Sequence, residues 1–279
     1  MAIRLIDAGT VSGLRSQSIY HGLAHNLGPN DDDIIVTAHP SDRYMCIGYF
    51  HDAMQQLDIT YCRNNNIPII RRETGGGTVL IDSGQLFIQW IFHPNKLPAR
   101  VDQRFEMFIK PLIDTHKFFG INAYYHPIND VHVDNKKIVG TGAAFIGNAE
   151  VVTGNLLFDF DYHTMCNALQ LPSNMKESVY RTMKDSLTTI HRELSQKPDV
   201  NQWKRQYLND CKSLFNTSFY TSQITTKEEA MIRQVEDKFL TDRWLFHRKK
   251  PEKKERIIKI HNNLWVASTP IPDESYQGK

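Results

Sequence analysis

At 279 residues, with 41% hydrophobic and 23% charged side chains, the chain is long enough to bury a sizeable core and has the balance of an ordinary globular protein. That balance excludes a disordered or fibrous polypeptide, and a formal charge of +2 gives no ground for nucleic-acid binding. Acidic Asp7 comes early, no apolar run of signal length opens the chain and nowhere do about 18 apolar residues run together, so a cytosolic protein without a membrane span is expected.

The first two-thirds alternates short strand-like runs with helical patterns, which predicts an α+β or α/β domain. Residues 3–6 read as a strand. Residues 13–27 carry Leu14, Ile19, Leu23 and Leu27 at mostly helical spacing, a helix weakened by Gly22. Residues 34–38 and 45–50 read as strands separated by the turn-rich Pro40-Ser41-Asp42, and residues 67–71 as another. After a run of three glycines, Leu86, Ile88, Trp90 and Phe92 alternate with a second set containing Gln89, the clearest strand pattern in the chain.

Between 102 and 119, Phe105, Phe108, Ile109, Leu112 and Phe119 share one helical stripe, with Pro111 expected to bend the helix. Residues 131–133 and 136–139 flank Asp134-Asn135, a pair that tolerates the positive φ of a tight hairpin turn. Lys137 then falls on the return strand. Residues 151–160 read as a further strand, after which the chain becomes helical. Val200, Trp203, Tyr207, Cys211 and Leu214 form one stripe, and the next helix opens with Thr226 and Glu229 spaced as in a capping box, burying Ile232, Val235 and Phe239. Beyond Phe246, residues 248–259 hold seven Lys or Arg against two Glu and read as a solvated, partly ordered tail.

Two clusters carry chemistry. Gly75, Gly76 and Gly77 can adopt backbone angles closed to other residues and bring main-chain amides close to an anion, although a plain flexible turn would use the same residues. The run is not a P-loop, because Gly77 leads into Thr78-Val79-Leu80 and not Gly-Lys-Ser/Thr; nor is Gly140-Thr141-Gly142 a dinucleotide fingerprint, since Phe145 stands where the third glycine belongs. Arg71-Arg72 precede the run, and guanidinium forks bind phosphate or carboxylate with paired hydrogen bonds. Adjacent strand residues point to opposite faces, so one of the two is expected at the site. The second cluster is Asn129-Asp130, Lys136-Lys137 and Gly140-Thr141-Gly142. It joins a carboxylate able to hold Mg²⁺, an ammonium and room for a ligand, or is simply a hairpin with exposed lysines.

Taken together, Arg-Arg-x-Thr-Gly-Gly-Gly-Thr-Val at 71–79, Asn129-Asp130, Lys137-Ile138-Val139-Gly140 and Gly154-Asn155-Leu156-Leu157 resemble the lipoate-protein ligase A family in order and approximate spacing. Ile47-Gly48-Tyr49-Phe50 resembles the strand before that family's first loop. The resemblance spans roughly residues 1–246. It implies an α+β fold, a mixed β-sheet with flanking helices of the kind shared by biotin-protein ligases and class II aminoacyl-tRNA synthetases. It also implies an ATP-dependent lipoate-protein ligase that joins lipoate to the α-phosphate of ATP, then passes the lipoyl group to a lysine of an acceptor domain. Lys137 would lie between the lipoyl carbonyl and the α-phosphate as the catalytic residue. Arg72, Gly77, Thr78, Val79 and Leu80 would hold ATP or lipoyl-AMP, with Gly75, Gly76, Asn129 and Gly140 lining the same site and Asp130 a candidate for Mg²⁺. The acceptor would be the E2 component of a 2-oxoacid dehydrogenase, the glycine-cleavage H protein or a similar lipoyl domain.

The chain departs from the family pattern at 14–21, where Leu-Arg-Ser-Gln-Ser-Ile-Tyr-His replaces a run of small and acidic residues, and at Thr153-Gly154-Asn155 in place of His-Gly-Thr. After residue 246 only a short charged stretch remains where a two-domain ligase carries an accessory domain, so residues 247–279 are expected to be a basic tail and the accessory domain a separate small subunit. An octanoyltransferase on the same fold would use a cysteine just before the Lys137 hairpin, where Asn129-Asp130 stand; Cys46, Cys62, Cys166 and Cys211 form no C-x-x-C pair and are expected as buried thiols, although Cys46 could approach in space. A biotin ligase would need a Gly-Arg-Gly-rich loop that is missing. A non-catalytic binding protein retaining the fold is the remaining alternative.

Overall fold

The alternating segment around Trp90 forms the central strand of the main sheet. The computed structural model describes residues 2–248, 256–261 and 264–268. In chain order the N-terminal half comprises β1 (Ile3–Val11), α1 (Gly13–Asn26), β2 (Asp33–Pro40), β3 (Tyr44–Ile47), α2 (Ala53–Gln56), α3 (Ile59–Asn64), β4 (Ile69–Arg71), β5 (Val79–Ile81), β6 (Gln85–Phe92) and α4 (Val101–Phe118). Three strands of a small meander follow, β7 (Tyr124–His126), β8 (Asp130–Val133) and β9 (Lys136–Gly140), then β10 (Gly142–Ile146) and β11 (Ala149–Leu157). The remainder is largely helical: α5 (Tyr162–Ala168), α6 (Ser173–Ser186), α7 (Ile190–Glu193), α8 (Val200–Leu214), β12 (Phe219–Thr221), α9 (Thr226–Phe239) and α10 (Asp242–Leu245), ending in β13 (Arg256–His261) and β14 (Leu264–Ser268).

Six strands form a mixed sheet in the order β10-β11-β6-β2-β1-β12, with β1 parallel to β2 and β12 and the other neighbours antiparallel. All eight residues of β6 are buried, because helices cover both faces. Leu86, Ile88, Trp90 and Phe92 pack with Phe108, Leu112, Trp203 and Tyr207 of α4 and α8. Phe87 and Ile91 face Ile19, Tyr20 and Leu23 of α1 and Ile232 of α9. Gln89 sits in this second set and donates from Nε2 to the Ser16 carbonyl at 2.7 Å, which gives its buried amide nitrogen a partner. Gly22, the weak point of the α1 pattern, has a packing reason: a Cβ there would lie 2.5 Å from Ile232 Cγ1 and 2.7 Å from its Cα, so glycine lets α1 and α9 approach closely.

The hairpin turn forms as expected, with Asp134 at φ +45° and Asn135 at φ +64°. α4 runs unbroken through Pro111. Three expectations shift. The strand expected over 45–50 ends at Ile47, and Gly48 closes against the glycine loop. The capping box is one residue earlier, Thr225 with Glu228, because Arg4 fastens Glu228 while Glu229 reaches Arg15 on α1. The stretch expected to be a solvated tail holds the antiparallel pair β13–β14, and Ile258 is buried in the third core cluster beside Met45, Ile47 and Leu57. Most of its basic residues, 249–255, lie outside the described residues. Among the described residues no helix is long and apolar enough to cross a membrane.

Candidate active site

Between the end of the main sheet and the two small sheets β4-β3-β5 and β7-β8-β9 opens a cleft of about 190 Å³. Arg72, Gly76, Gly77, Thr78, Val79 and Leu80 line it from one loop and β5. Asn129 and Asp130 line it at the head of β8, and Lys137 and Gly140 from β9. Two clusters separated by about fifty residues in sequence thus share one cavity. Gly75 is the exception among the expected residues. It lies behind the loop, its carbonyl accepting from Arg72 Nη2 at 2.8 Å and its amide donating to the Ala143 carbonyl at 3.5 Å.

The two arginines diverge as strand geometry requires. Arg71 is fully buried and caps a set of carbonyls, those of Gly48, Tyr49 and His51 from Nη1 and that of Leu245 from Nε and Nη2. Burial pulls its guanidinium down to about 10, still a cation at neutral pH. Arg72 reaches the cleft wall, but its fork is turned onto the loop: Nη2 donates to the carbonyls of Gly75 and Gly77, each at 2.8 Å, and Nη1 to that of Cys46 at 3.2 Å. It gathers the carbonyls on its own side, an arrangement that gives the loop a fixed shape. Gly76 supplies the required left-handed turn at φ +93°, and Gly48 the clearance, since a Cβ there would stand 2.2 Å from the Gly76 oxygen.

Lys137 Nζ lies 2.8 Å from Asp130 Oδ1; the carboxylate side chain has no exposed surface while that of the lysine keeps 20%. Gly140 makes room for this arm, its virtual Cβ being 3.1 Å from Lys137 Cε. The Asp130 carboxylate, expected as a candidate for Mg²⁺, lines the cleft and faces the Lys137 ammonium. Asn129 fastens the strand heads, donating from Nδ2 to the Thr141 carbonyl at 2.8 Å while Thr141 Oγ1 donates to the Asn129 carbonyl at 2.6 Å.

Sequence reasoning left the apolar wall unnamed. Leu157, Phe160, Met165, Met183 and Leu187 supply it from β11, α5 and α6, with Gln85 and Asn155 hydrogen-bonded to each other at 2.7 Å on the same lining. Met183 shares a buried helical stripe with Val179, a signal visible in sequence, but nothing local says that the stripe faces a ligand cleft. None of the four cysteines lines the cleft and all are buried. Cys46, the one near Arg72, has its thiol pushed up by burial, against the pull of that cation.

The profile of the lipoyl protein ligase A/B catalytic domain matches residues 14–212. Lipoate-protein ligase A subunit 1 of Thermoplasma acidophilum is 22% identical over 86% of this chain and 95% of its own length. Lipoate–protein ligase 1 of Staphylococcus aureus is 24% identical over 78% of this chain, which spans 66% of that longer protein. The octanoyltransferase LipM of Clostridioides difficile is 20% identical over 72% of this chain and 82% of its own. In three dimensions, a chain of the archaeal lipoylation system of Thermoplasma acidophilum, a bi-partite lipoate protein ligase with its E2 lipoyl domain, superposes with a TM-score of 0.81 at 22% identity, covering 90% of this chain and 99% of that one. A lipoate-protein ligase A structure bound with ATP superposes at 0.76 with 20% identity, over 89% and 100% of the two chains. These superpositions establish the fold, a mixed sheet with flanking helices, and the profile covers most of the chain including both clusters of the cleft: the protein belongs to the lipoyl protein ligase A/B catalytic domain family.

Proposed function

We propose that the chain is the catalytic component of an ATP-dependent lipoate-protein ligase. The observation that carries this reading is Lys137, held by Asp130 inside a cleft that also contains the Gly76-Gly77 loop and that no cysteine lines. In the first step a carboxylate oxygen of lipoate attacks the α-phosphorus of ATP, the bond to the bridging oxygen breaks and pyrophosphate leaves. In the second, the ε-amine of an acceptor lysine attacks the acyl carbon and AMP departs with the electron pair. Both steps gather negative charge on phosphoryl and acyl oxygens, and a fixed ammonium in a partly dry cleft stabilises such charge without reorganising. The glycine loop is suited to the phosphates by its amides and lack of side chains, and the Met-rich wall suits a flexible acyl chain. Magnesium would arrive as the counter-ion of the nucleotide, with Asp130 the candidate carboxylate beside it.

The acceptor is proposed to be a lipoyl domain, such as the E2 component of a 2-oxoacid dehydrogenase or a glycine-cleavage H protein, with a separate small accessory subunit. Support for the latter comes from the near-complete coverage of a relative named as subunit 1 and of a bi-partite ligase chain. The LipM relatives favour a second reading, ATP-independent acyl transfer, but that chemistry needs a reactive thiol in the cleft. The test is to incubate the chain with lipoate, ATP, Mg²⁺ and an acceptor domain, with and without a candidate small subunit, while following pyrophosphate and the acceptor's mass. ATP-dependent pyrophosphate release and a lipoyl mass increment are expected. Transfer from an acyl-carrier thioester without ATP would overturn the ligase reading, and binding without turnover in every combination would make the protein a non-catalytic member.

A further inference from the structure

The glycine loop is fastened at its entry by a histidine that does not touch the cleft. His21, on α1, is fully buried, and both ring nitrogens have partners. Nδ1 lies 2.6 Å from the Gln17 carbonyl oxygen, and a carbonyl can only accept, so Nδ1 carries the proton. Nε2 therefore presents a lone pair, and the backbone N–H of Glu73 donates to it at 3.0 Å. The two partners together define one neutral tautomer. The Glu73 side chain is tied separately, to Lys238 of α9 and, at 3.7 Å, to His25 of α1. Downstream, Arg72 holds the carbonyls of Gly75 and Gly77. The backbone from 72 to 77 is thus anchored at its entry by α1 and α9 and along its run by Arg72, although three consecutive glycines would otherwise leave it wide conformational freedom.

We infer that His21 is a positioning residue for the nucleotide loop, setting the conformation of residues 73–78 by accepting the Glu73 N–H, and through that loop the affinity for the phosphates of the nucleotide. The identity of the ligand rests on the ligase reading; the latch itself does not. An anion is bound tightly by amides that already point at it, whereas a loose loop must be ordered by the ligand, which weakens binding without altering what happens once the ligand is seated. The effect should therefore fall on ATP and spare steps that follow adenylation.

The experiment uses the full chain in three measurements. In the unaltered protein at neutral pH, nitrogen chemical shifts of His21 should report a protonated Nδ1 and a bare Nε2; the opposite tautomer or an imidazolium would overturn the latch with no variant needed. Next, His21→Leu removes the acceptor at similar volume, and amide hydrogen exchange across 73–78 should accelerate by roughly tenfold, the scale of one net hydrogen bond. His21→Gln, which can place an acceptor near the Nε2 position, should restore protection. Should His21→Leu fail to fold, Lys238→Met, at an exposed position, loosens the same segment from its other anchor and must accelerate exchange there. Unchanged exchange in the folded variant refutes the latch whether or not the protein is a ligase. Finally, in the adenylation assay His21→Leu should raise the KM for ATP by a similar factor, leaving the KM for lipoate and the rate of transfer from saturating lipoyl-AMP unchanged. A loosened loop with an unchanged ATP KM, or equal losses in all three quantities, refutes the role in binding. If the unaltered chain releases no pyrophosphate with any partner, it is the ligase reading that has failed, and hydrogen exchange still decides the latch.

Discussion

Replacing Lys137 with methionine removes the ammonium and keeps most of the stem's volume, and its consequences for stability and activity should separate. Asp130 Oδ1 lies 2.8 Å from Nζ on a side chain with no exposed surface, so the substitution strips an enclosed carboxylate of its counter-charge. Breaking a buried pair from one side costs about 3–5 kcal/mol. The lysine side chain retains 20% exposure, which places the cost near the lower end, about 3 kcal/mol. In a domain of this size each kcal/mol shifts Tm by roughly 2–4 °C, so Lys137→Met should melt about 6–12 °C lower. Adding Asp130→Asn removes the second charge, and the double variant should return to within about 1 kcal/mol of the unaltered protein. Activity should not return with it. Loss of a preorganised charge-stabilising donor costs on the order of 10² to 10³ in rate, and the double variant should be as slow as Lys137→Met, because Asp130 acts through the lysine. Calorimetric melting and single-turnover pyrophosphate release at saturating lipoate and ATP measure the two quantities. Recovery of activity together with stability, or a Lys137→Met variant that melts like the unaltered protein, would contradict these roles for the pair.

Gly48→Ala would put a methyl 2.2 Å from the Gly76 oxygen, forcing the loop to move, and a displacement of about 1 Å at a binding loop can cost up to roughly 10²-fold; calorimetric titration with ATP should show binding weakened by at least about tenfold. Cys46→Ala should leave ATP-dependent transfer within about twofold, as mass analysis of the acceptor would show, whereas thiol-carrier chemistry on Cys46 would be abolished. Burial holds His21 and His116 down to about 4, so between their unfolded value near 6.5 and pH 4 the unfolded chain binds more protons. Stability should fall as pH drops through that window, by up to roughly 3 kcal/mol for each histidine, and urea melts at several pH values with His116→Gln should show a shallower slope; a flat profile would contradict the buried neutral assignment. Glu73 acts in a lower window: burial pushes its carboxyl up, but His25 and Lys238 pull it to about 2, so the stability it adds is lost from about pH 4.5 downward.

Much of the scaffold was legible because it rests on short-range rules. The period-two alternation of Leu86, Ile88, Trp90 and Phe92, the stripe of Phe105, Phe108 and Leu112, and the Asp134-Asn135 turn each state their local geometry in adjacent residues, and all three formed. The three-glycine run and Lys137 stood out in sequence as candidates, and the opposed directions of Arg71 and Arg72 followed from strand alternation. Partnership, by contrast, is a matter of tertiary packing. That Arg72 turns its fork onto the Gly75 and Gly77 carbonyls, that Gly75 sits behind the loop, that Asp130 is paired with Lys137, and that Glu228 and not Glu229 completes the α9 cap all depend on which distant atoms are within reach. The apolar wall of Phe160, Met165 and Met183 and the burial of Ile258 were hidden for the same reason: an amphipathic stripe declares that a face will be covered, but a ligand cleft and a core present the same apolar surface to the sequence, and only the packing of remote elements separates them.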